Sequence, residues 1–329
     1  MQIQGQDPLT VRVIYEDNHV VCAVKPPGVL SQADGTGAPD MLTILKRYIK
    51  EKYNKQGDVY LGLVHRLDRP VGGVMAFART SKAAGRLSSQ LRSRSVDKTY
   101  YAVLHGLPAQ AAGRLEHYIE KDALLNRVRV TGAERTDKGL ALLDYSVLGH
   151  IEPDAASDKA LALVRVELVT GRPHQIRAQF AYIGCPVIGD RKYGLKATSQ
   201  HGPGGSYATA SGAPGSPYAT APGSSYATAP GAPGSPYAKA SGSPYATASG
   251  SPYATAPRAP GSSYTTAPGG PVDMHTATVR GPGGPALWAA SLGFMHPVRQ
   301  TPVTVFAPPP LYEYPWNLFS EDLFTCERK

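Results

Sequence analysis

Cysteine is scarce in this chain of 329 residues, and the three that occur, Cys22, Cys185 and Cys326, are far apart. Their odd number and lack of metal-ligand spacing indicate neither a disulfide framework nor a zinc site. Reduced thiols of a cytosolic protein are the expectation. Long apolar runs are missing too, so the sequence offers no candidate for a bilayer-spanning helix and no membrane partner is expected. The stretch from Met1 to Leu9 lacks the apolar centre of a secretory leader. Together these absences point to a cytoplasmic protein. Acidic charge is also in deficit: 25 Asp and Glu stand against 34 Lys and Arg, for a net charge of +9. Such an excess fits a polyanionic partner, because bound phosphates release their condensed counterions. An acidic small molecule would account for it nearly as well.

One long stretch lacks almost everything a core needs. From Gln200 to Gly270 there is no Leu, Ile, Val, Met, Phe or Trp, and the only charges are Lys239 and Arg258. Units such as Gly-Ser-Pro-Tyr-Ala-Thr-Ala recur, with tyrosines from Tyr207 to Tyr264 spaced by 8 or 11 residues. A solenoid would require a large apolar face in every repeat. One tyrosine per unit does not offset the entropy of ordering Gly- and Ser-rich backbone. Residues 200–270 are therefore expected to be a disordered surface insertion whose two ends lie close together. Residues 1–199 and 271–329 are expected to make one folded domain around it, with a net charge of about +7.

That remainder reads as α+β, a mixed, largely antiparallel sheet flanked by helices. Val11 to Tyr15 and His19 to Lys25 read as strands either side of a turn. Asp40 is placed to cap a helix with Leu42, Leu45 and Ile49 on one face. Val71 to Ala78 reads as a buried strand, and a helix beginning near Ser81 is expected to bury Ala84, Leu87 and Leu91. Five strands follow: Lys98 to His105, Leu115 to Ile119, Arg127 to Thr131, Leu140 to Leu148 and Leu161 to Val169. In the last, Ala162, Val164, Val166 and Leu168 share one face by period-2 alternation. Pro173 is expected in the first turn of a helix burying Ile176, Phe180 and Ile183, with Gly184 as its left-handed cap. Leu287 to Met295 and Pro302 to Phe306 read as two final strands.

The most informative run is His65-Arg66-Leu67-Asp68-Arg69, followed by Pro70-Val71-Gly72-Gly73. It sets an acid between two arginines, whose guanidinium groups favour the carboxylate, beside two glycines that let another backbone approach. Taken alone, this is equally a surface ion-pair cluster. Eight basic residues fall between Arg66 and Lys98, opposed only by Asp68 and Asp97. Of these, Lys82, Arg86 and Arg92 lie away from the apolar helix face, either as a solvated face or as a ridge for phosphates.

This run resembles the signature of RNA pseudouridine synthases of the RluA family, and other stretches agree in order. Glu16 to Val21 leading to Lys25-Pro26-Pro27-Gly28 is similar to the family's opening strands. Lys98-Thr99-Tyr100 is similar to its second motif. Glu167 to Arg177, including Arg172-Pro173-His174-Gln175-Ile176-Arg177, is similar to its third, continuing to Gly189-Asp190 and Tyr193-Gly194. Leu287 to Pro297 resembles the last core strand. The chain departs from the pattern at Val71, Gly72, Pro173 and Trp288, where the family often has Thr, Ser, Thr and His. An N-terminal RNA-binding module of the kind many relatives carry is not expected.

The resemblance implies the pseudouridine-synthase fold and an isomerase acting on uridines of ribosomal or transfer RNA. It implies Asp68 as the catalytic carboxylate, Arg177 as its partner, and Tyr100 packed against the uracil. Arg66 would fill the space left by the extruded uridine, and Arg69, Lys82 and Arg86 would contact the substrate RNA. His65 and His174 are read as structural. The isomerisation balances in atoms and electrons without a metal, nucleotide or redox cofactor, so none is expected. A monomer is expected. The alternative reading is a catalytically inactive RNA-binding protein of the same fold, although Asp68, Tyr100 and Arg177 are all retained.

Overall fold

The computed structural model describes residues 11–122, 126–131, 139–153, 160–194 and 283–325. The expected repeat insertion at 200–270 lies outside them. The described elements include eleven strands and three α-helices. In chain order they are β1 (Val13–Glu16), β2 (Val20–Lys25), α1 (Met41–Lys52), β3 (Gly62–Leu63), β4 (Gly72–Ala78), α2 (Ser81–Arg92) and β5 (Asp97–His105). There follow β6 (Ala112–Asp122), β7 (Arg127–Thr131), β8 (Leu140–Ile151), β9 (Leu161–Leu168), α3 (Gln175–Tyr182), β10 (Leu287–Met295) and β11 (Pro302–Phe306). All eleven strands belong to one sheet, ordered β1-β2-β4-β10-β5-β9-β8-β6-β7, with β3 beside β4 and β11 beside β10. Only β4 and β10 pair in parallel. This is the expected α+β class.

Strand β4 shows why the helices sit where they do. All seven of its residues are buried, because its two faces are covered by different helices. Met75 and Phe77 pack with Met41, Leu45 and Ile49 of α1, whereas Val74, Ala76 and Ala78 pack with Ala83 and Leu87 of α2. Helix α1 starts where the sequence places it: the Asp40 carboxylate accepts from the Thr43 backbone N–H at 3.1 Å, satisfying a donor the helix leaves free. Its buried face is set by Met41, Ile44, Leu45 and Ile49, with Leu42 at the margin. In α2 the fully buried positions are Ala83 and Leu87, while Ala84 and Leu91 lie at the edge.

Two sequence expectations shift. Period-2 alternation puts Ala162, Val164, Val166 and Leu168 of β9 on one buried face, yet the strand is buried on both from Leu161 to Val166, since it lies between β5 and β8. Helix α3 begins at Gln175, so Pro173 precedes the cap rather than occupying the first turn. The capping residue is His174, at φ +53°. At the other end Gly184, at φ +83°, closes the helix as expected: its N–H bonds the Ala181 carbonyl, and Cys185 N–H that of Phe180. The C-terminal segment, for which the sequence offered no periodic signal, packs Trp316, Phe319 and Phe324 into the main core.

Strand β10, which follows the insertion in sequence, lies between β4 and β5. Its pairing with β4 is unusually close. A Cβ at Gly73, whose φ is +124°, would come within 2.2 Å of the Ala289 carbonyl oxygen, so only glycine fits there. A Cβ at Gly72 would lie 2.3 Å from the Trp288 ring. Two departures from the family pattern are thus one packing feature, the indole filling the space that a side chain at position 72 would need. The indole N–H donates to the Ala307 carbonyl at 2.9 Å.

Candidate active site

The loop between β3 and β4 carries Asp68, and a second loop, between β2 and α1, braces it on both sides. Ser31 Oγ donates to the Leu67 carbonyl at 2.9 Å and accepts from Leu67 N–H at 3.1 Å. Gly28 N–H donates to the Arg69 carbonyl at 2.8 Å, and Arg69 Nε returns a bond to the Gly28 carbonyl at 3.0 Å. Beneath both loops, fully buried Lys25 donates to the carbonyls of Pro26, Val29 and Arg69 at 3.0, 2.7 and 3.0 Å. Burial pulls its ammonium down to about 7, with Asp68 working in the opposite direction. The flanks of Asp68 are therefore fixed by four inter-loop bonds and one from Lys25 at the end of β2, while its carboxyl remains partly open.

That carboxyl meets Arg177 from α3. Arg177 Nη1 donates to Asp68 Oδ2 at 2.8 Å. The other edge of the guanidinium makes a two-pronged contact with Asp190, Nε to Oδ2 at 2.6 Å and Nη2 to Oδ1 at 2.8 Å. Side-chain exposure rises along this series, 0% for Asp190, 6% for Arg177 and 25% for Asp68, so the buried pair anchors the open carboxylate. Burial opposes charge on Arg177, but the two carboxylates outweigh it and raise its pKa. Burial likewise pushes Asp190 up, and the Arg177 contact overrides it. Such forked arginine–carboxylate bonds fix orientation as well as charge.

Around this trio, Tyr193 lies under Arg177, the guanidinium carbon 5.3 Å from the ring centre. The Tyr193 hydroxyl accepts from Val128 N–H at 2.8 Å and lies 2.7 Å from His174 Nδ1. His174 Nε2 is 3.9 Å from Asp68 Oδ2. Buried Gln175 ties the loop before α3 to β8: its side chain accepts from Thr170 Oγ1 and Arg172 N–H and donates to the Leu142 carbonyl. Tyr100, on β5, lines the same cleft. Burial, then the nearby Asp68 charge, raises its phenol pKa, so it is a neutral O–H at physiological pH.

The cleft measures about 980 Å³, and ten Lys or Arg side chains line it against the two carboxylates of Asp34 and Asp68. Asp68, Tyr100, Arg177, Arg66 and Arg69 are brought together here, though Arg69 uses its Nε on the loop brace. Lys82 and Arg86 are not. Both lie on exposed α2 positions outside the cleft lining, and Arg86 bonds the Pro297 carbonyl. Arg92 and Arg94, near the end of the same helix, reach the cleft instead. His65 accepts from Ala76 N–H through Nε2 at 3.0 Å. Asp190, Tyr193 and Lys25 received no site role from sequence; the only available signal was their presence in the stretches resembling the family.

Residues 19–182 match the family model described as RNA pseudouridylate synthase. This chain is 33% identical over 195 residues to an RNA pseudouridine synthase of Aquifex aeolicus, covering 58% of each chain. It is 31% identical to the ribosomal large subunit pseudouridine synthase C of Rickettsia conorii, covering 56% of each. It is also 31% identical to the ribosomal large subunit pseudouridine synthase D of Pseudomonas aeruginosa, covering 56% of this chain and 54% of that one. Among solved structures, it resembles human RNA pseudouridylate synthase domain containing 4, at 25% identity and a TM-score of 0.45, over 55% of this chain and 68% of that one. The chain spans somewhat more than half the length of the curated relatives it matches. It belongs to the RluA family of RNA pseudouridine synthases.

Proposed function

We propose that this protein isomerises uridines in RNA to pseudouridine, with Asp68 as the catalytic carboxylate. The observation that carries the reading is a carboxylate held at 2.8 Å by a buried arginine, in a cleft lined by ten Lys or Arg side chains and by Tyr100. The reaction breaks the bond from ribose C1′ to uracil N1, turns the base and joins C1′ to C5. C5 loses its proton and N1 gains one, so the isomerisation is balanced without an oxidant or reductant. A carboxylate suits the first step because it stabilises or captures an oxocarbenium-like C1′, as in retaining glycosidases.

Arg177 holds Asp68 in orientation. Tyr100, as a neutral phenol, packs against the base. Arg66, exposed at the cleft wall, is suited to take the space of the extruded nucleotide. Cations around the cleft hold the RNA backbone, and the names of the ribosomal relatives favour large-subunit ribosomal RNA over transfer RNA as the first substrate to try. The test is incubation of the purified protein with transcribed RNA carrying C5-tritiated uridine. Tritium release, with pseudouridine in the nuclease digest, is expected. No release from either ribosomal or transfer transcripts would overturn the reading.

A further inference from the structure

Two cations on the cleft wall have side chains without a partner among the described residues, and their placement is specific. Lys98 and Tyr100 are alternate residues of β5 and both line the cleft. Alternate residues of a strand share a face and lie about 7 Å apart, a separation comparable with that between a nucleoside and a neighbouring phosphate. The Lys98 ammonium is half-buried. Burial, then the charge of Arg94, lowers its pKa. It lies beside Gly171, 3.7 Å from where a side chain there would begin. The side chains of Lys98 and Arg94 make no hydrogen bond or ion pair among the described residues.

Arg94 supplies a second, independent observation. It follows α2 in the left-handed region, at φ +59°. The N–H of Arg94 bonds the Leu91 carbonyl, and that of Ser95 bonds Gln90, closing the helix. This position is normally glycine, and an arginine there costs about 1–2 kcal/mol. Backbone strain of this kind clusters at sites of function. Here it holds a guanidinium on the cleft lining, near enough to Lys98 to add to the lowering of its pKa. Two adjacent cations without a carboxylate are complementary to an anion, and the adjoining Tyr100 subsite fixes which kind.

We propose that Lys98 and Arg94 form a phosphate site beside Tyr100 that grips an RNA phosphodiester flanking the uridine at Asp68. This rests on the reading of the cleft as an RNA site. It differs from a general basic surface in naming two residues and in requiring that one of them be conformationally costly.

The experiment is binding of a short fluorescein-labelled oligouridylate across a salt series, with thermal denaturation of the same preparations. Lys98→Gln and Arg94→Gly should each lower the slope of log affinity against log salt by about 0.7, the value for one phosphate contact on a single strand. Arg94→Gly should at the same time keep or raise the thermal midpoint, because glycine relieves the strain; a structural role would lower it. Unchanged slopes in both variants, with normal wild-type binding, would overturn this site alone. A wild-type protein with no salt-dependent binding would overturn the RNA reading together with it.

Discussion

At the floor of the cleft, Asp68, Arg177 and Asp190 are joined in one series of ion pairs. On its walls Arg66, Arg94 and Lys98 make no ion pair among the described residues. Floor charges are paired with one another and progressively buried, which keeps one carboxylate in a fixed orientation. Wall charge is uncompensated, which leaves it for a partner that arrives with negative charge of its own. The same residue types therefore serve opposite ends, and burial with pairing, rather than residue identity, separates them. On this view, substitutions on the floor should cost stability and chemistry together, whereas those on the walls should cost RNA affinity and little else.

The largest expected effect is at Arg177. Arg177→Met strands Asp190, whose side chain is fully buried, without its partner. Removing one member of a buried pair costs about 3–5 kcal/mol. Turnover should also fall by about a hundredfold or more, since Asp68 loses its aim. Arg66→Gln on the wall should change stability by no more than about 0.5 kcal/mol. Urea unfolding of the two variants side by side would break the comparison if their losses were similar.

Behind the floor, Gly72→Ser should destabilise by about 1–3 kcal/mol, because the new side chain meets the Trp288 ring. Adding Trp288→His should recover much of that loss. The coupling between two contacting positions, about 0.5–3 kcal/mol, is measured by the double-mutant cycle. Additive losses would show that the indole does not fill the space above Gly72.

The extent to which sequence anticipated all this follows the range of each interaction. Local signals carried well: the Asp40 cap, the apolar face of α1, the uninterrupted burial of β4 and the Gly184 cap all depend on neighbours within a few residues. Asp68 was legible through its arginine-flanked run, and Arg177 only through resemblance. Asp190 was not assigned, because its fork with Arg177 depends on the turn after α3. Sequence places Lys25 only at the end of a strand, yet three carbonyls from two loops surround it. The Gly72–Trp288 contact needs the parallel register between β4 and β10, which periodicity does not reveal. Basic residues of α2 were recognised as a group, but Lys82 and Arg86 were favoured where the helix axis brings Arg92 and Arg94 to the cleft.

A smaller effect concerns acid. Burial, then the charge of Lys98, pushes His65 down to about 4, consistent with its ring accepting from Ala76 N–H. The unfolded chain binds this proton near the ordinary histidine value of about 6.5. His65 therefore contributes stability that is full above about 6.5 and is lost as pH falls toward 4. His65→Gln should flatten the fall in urea midpoint across that window; an unchanged profile would place the acid sensitivity elsewhere. Smallest of all, neutralising Lys82 and Arg86 together should leave the salt dependence of RNA binding nearly unchanged, as both lie outside the cleft lining.

The claim beneath the comparison is that one floor carboxylate performs the chemistry while the walls hold the RNA. Asp68→Asn tests it most directly, because it keeps the size of the side chain and removes its charge. Single-turnover tritium release at saturating RNA, measured beside filter binding on the same folded preparation, should show release reduced by several orders of magnitude with RNA affinity retained. A folded Asp68→Asn protein that released tritium at a sizeable fraction of the wild-type rate would contradict the account.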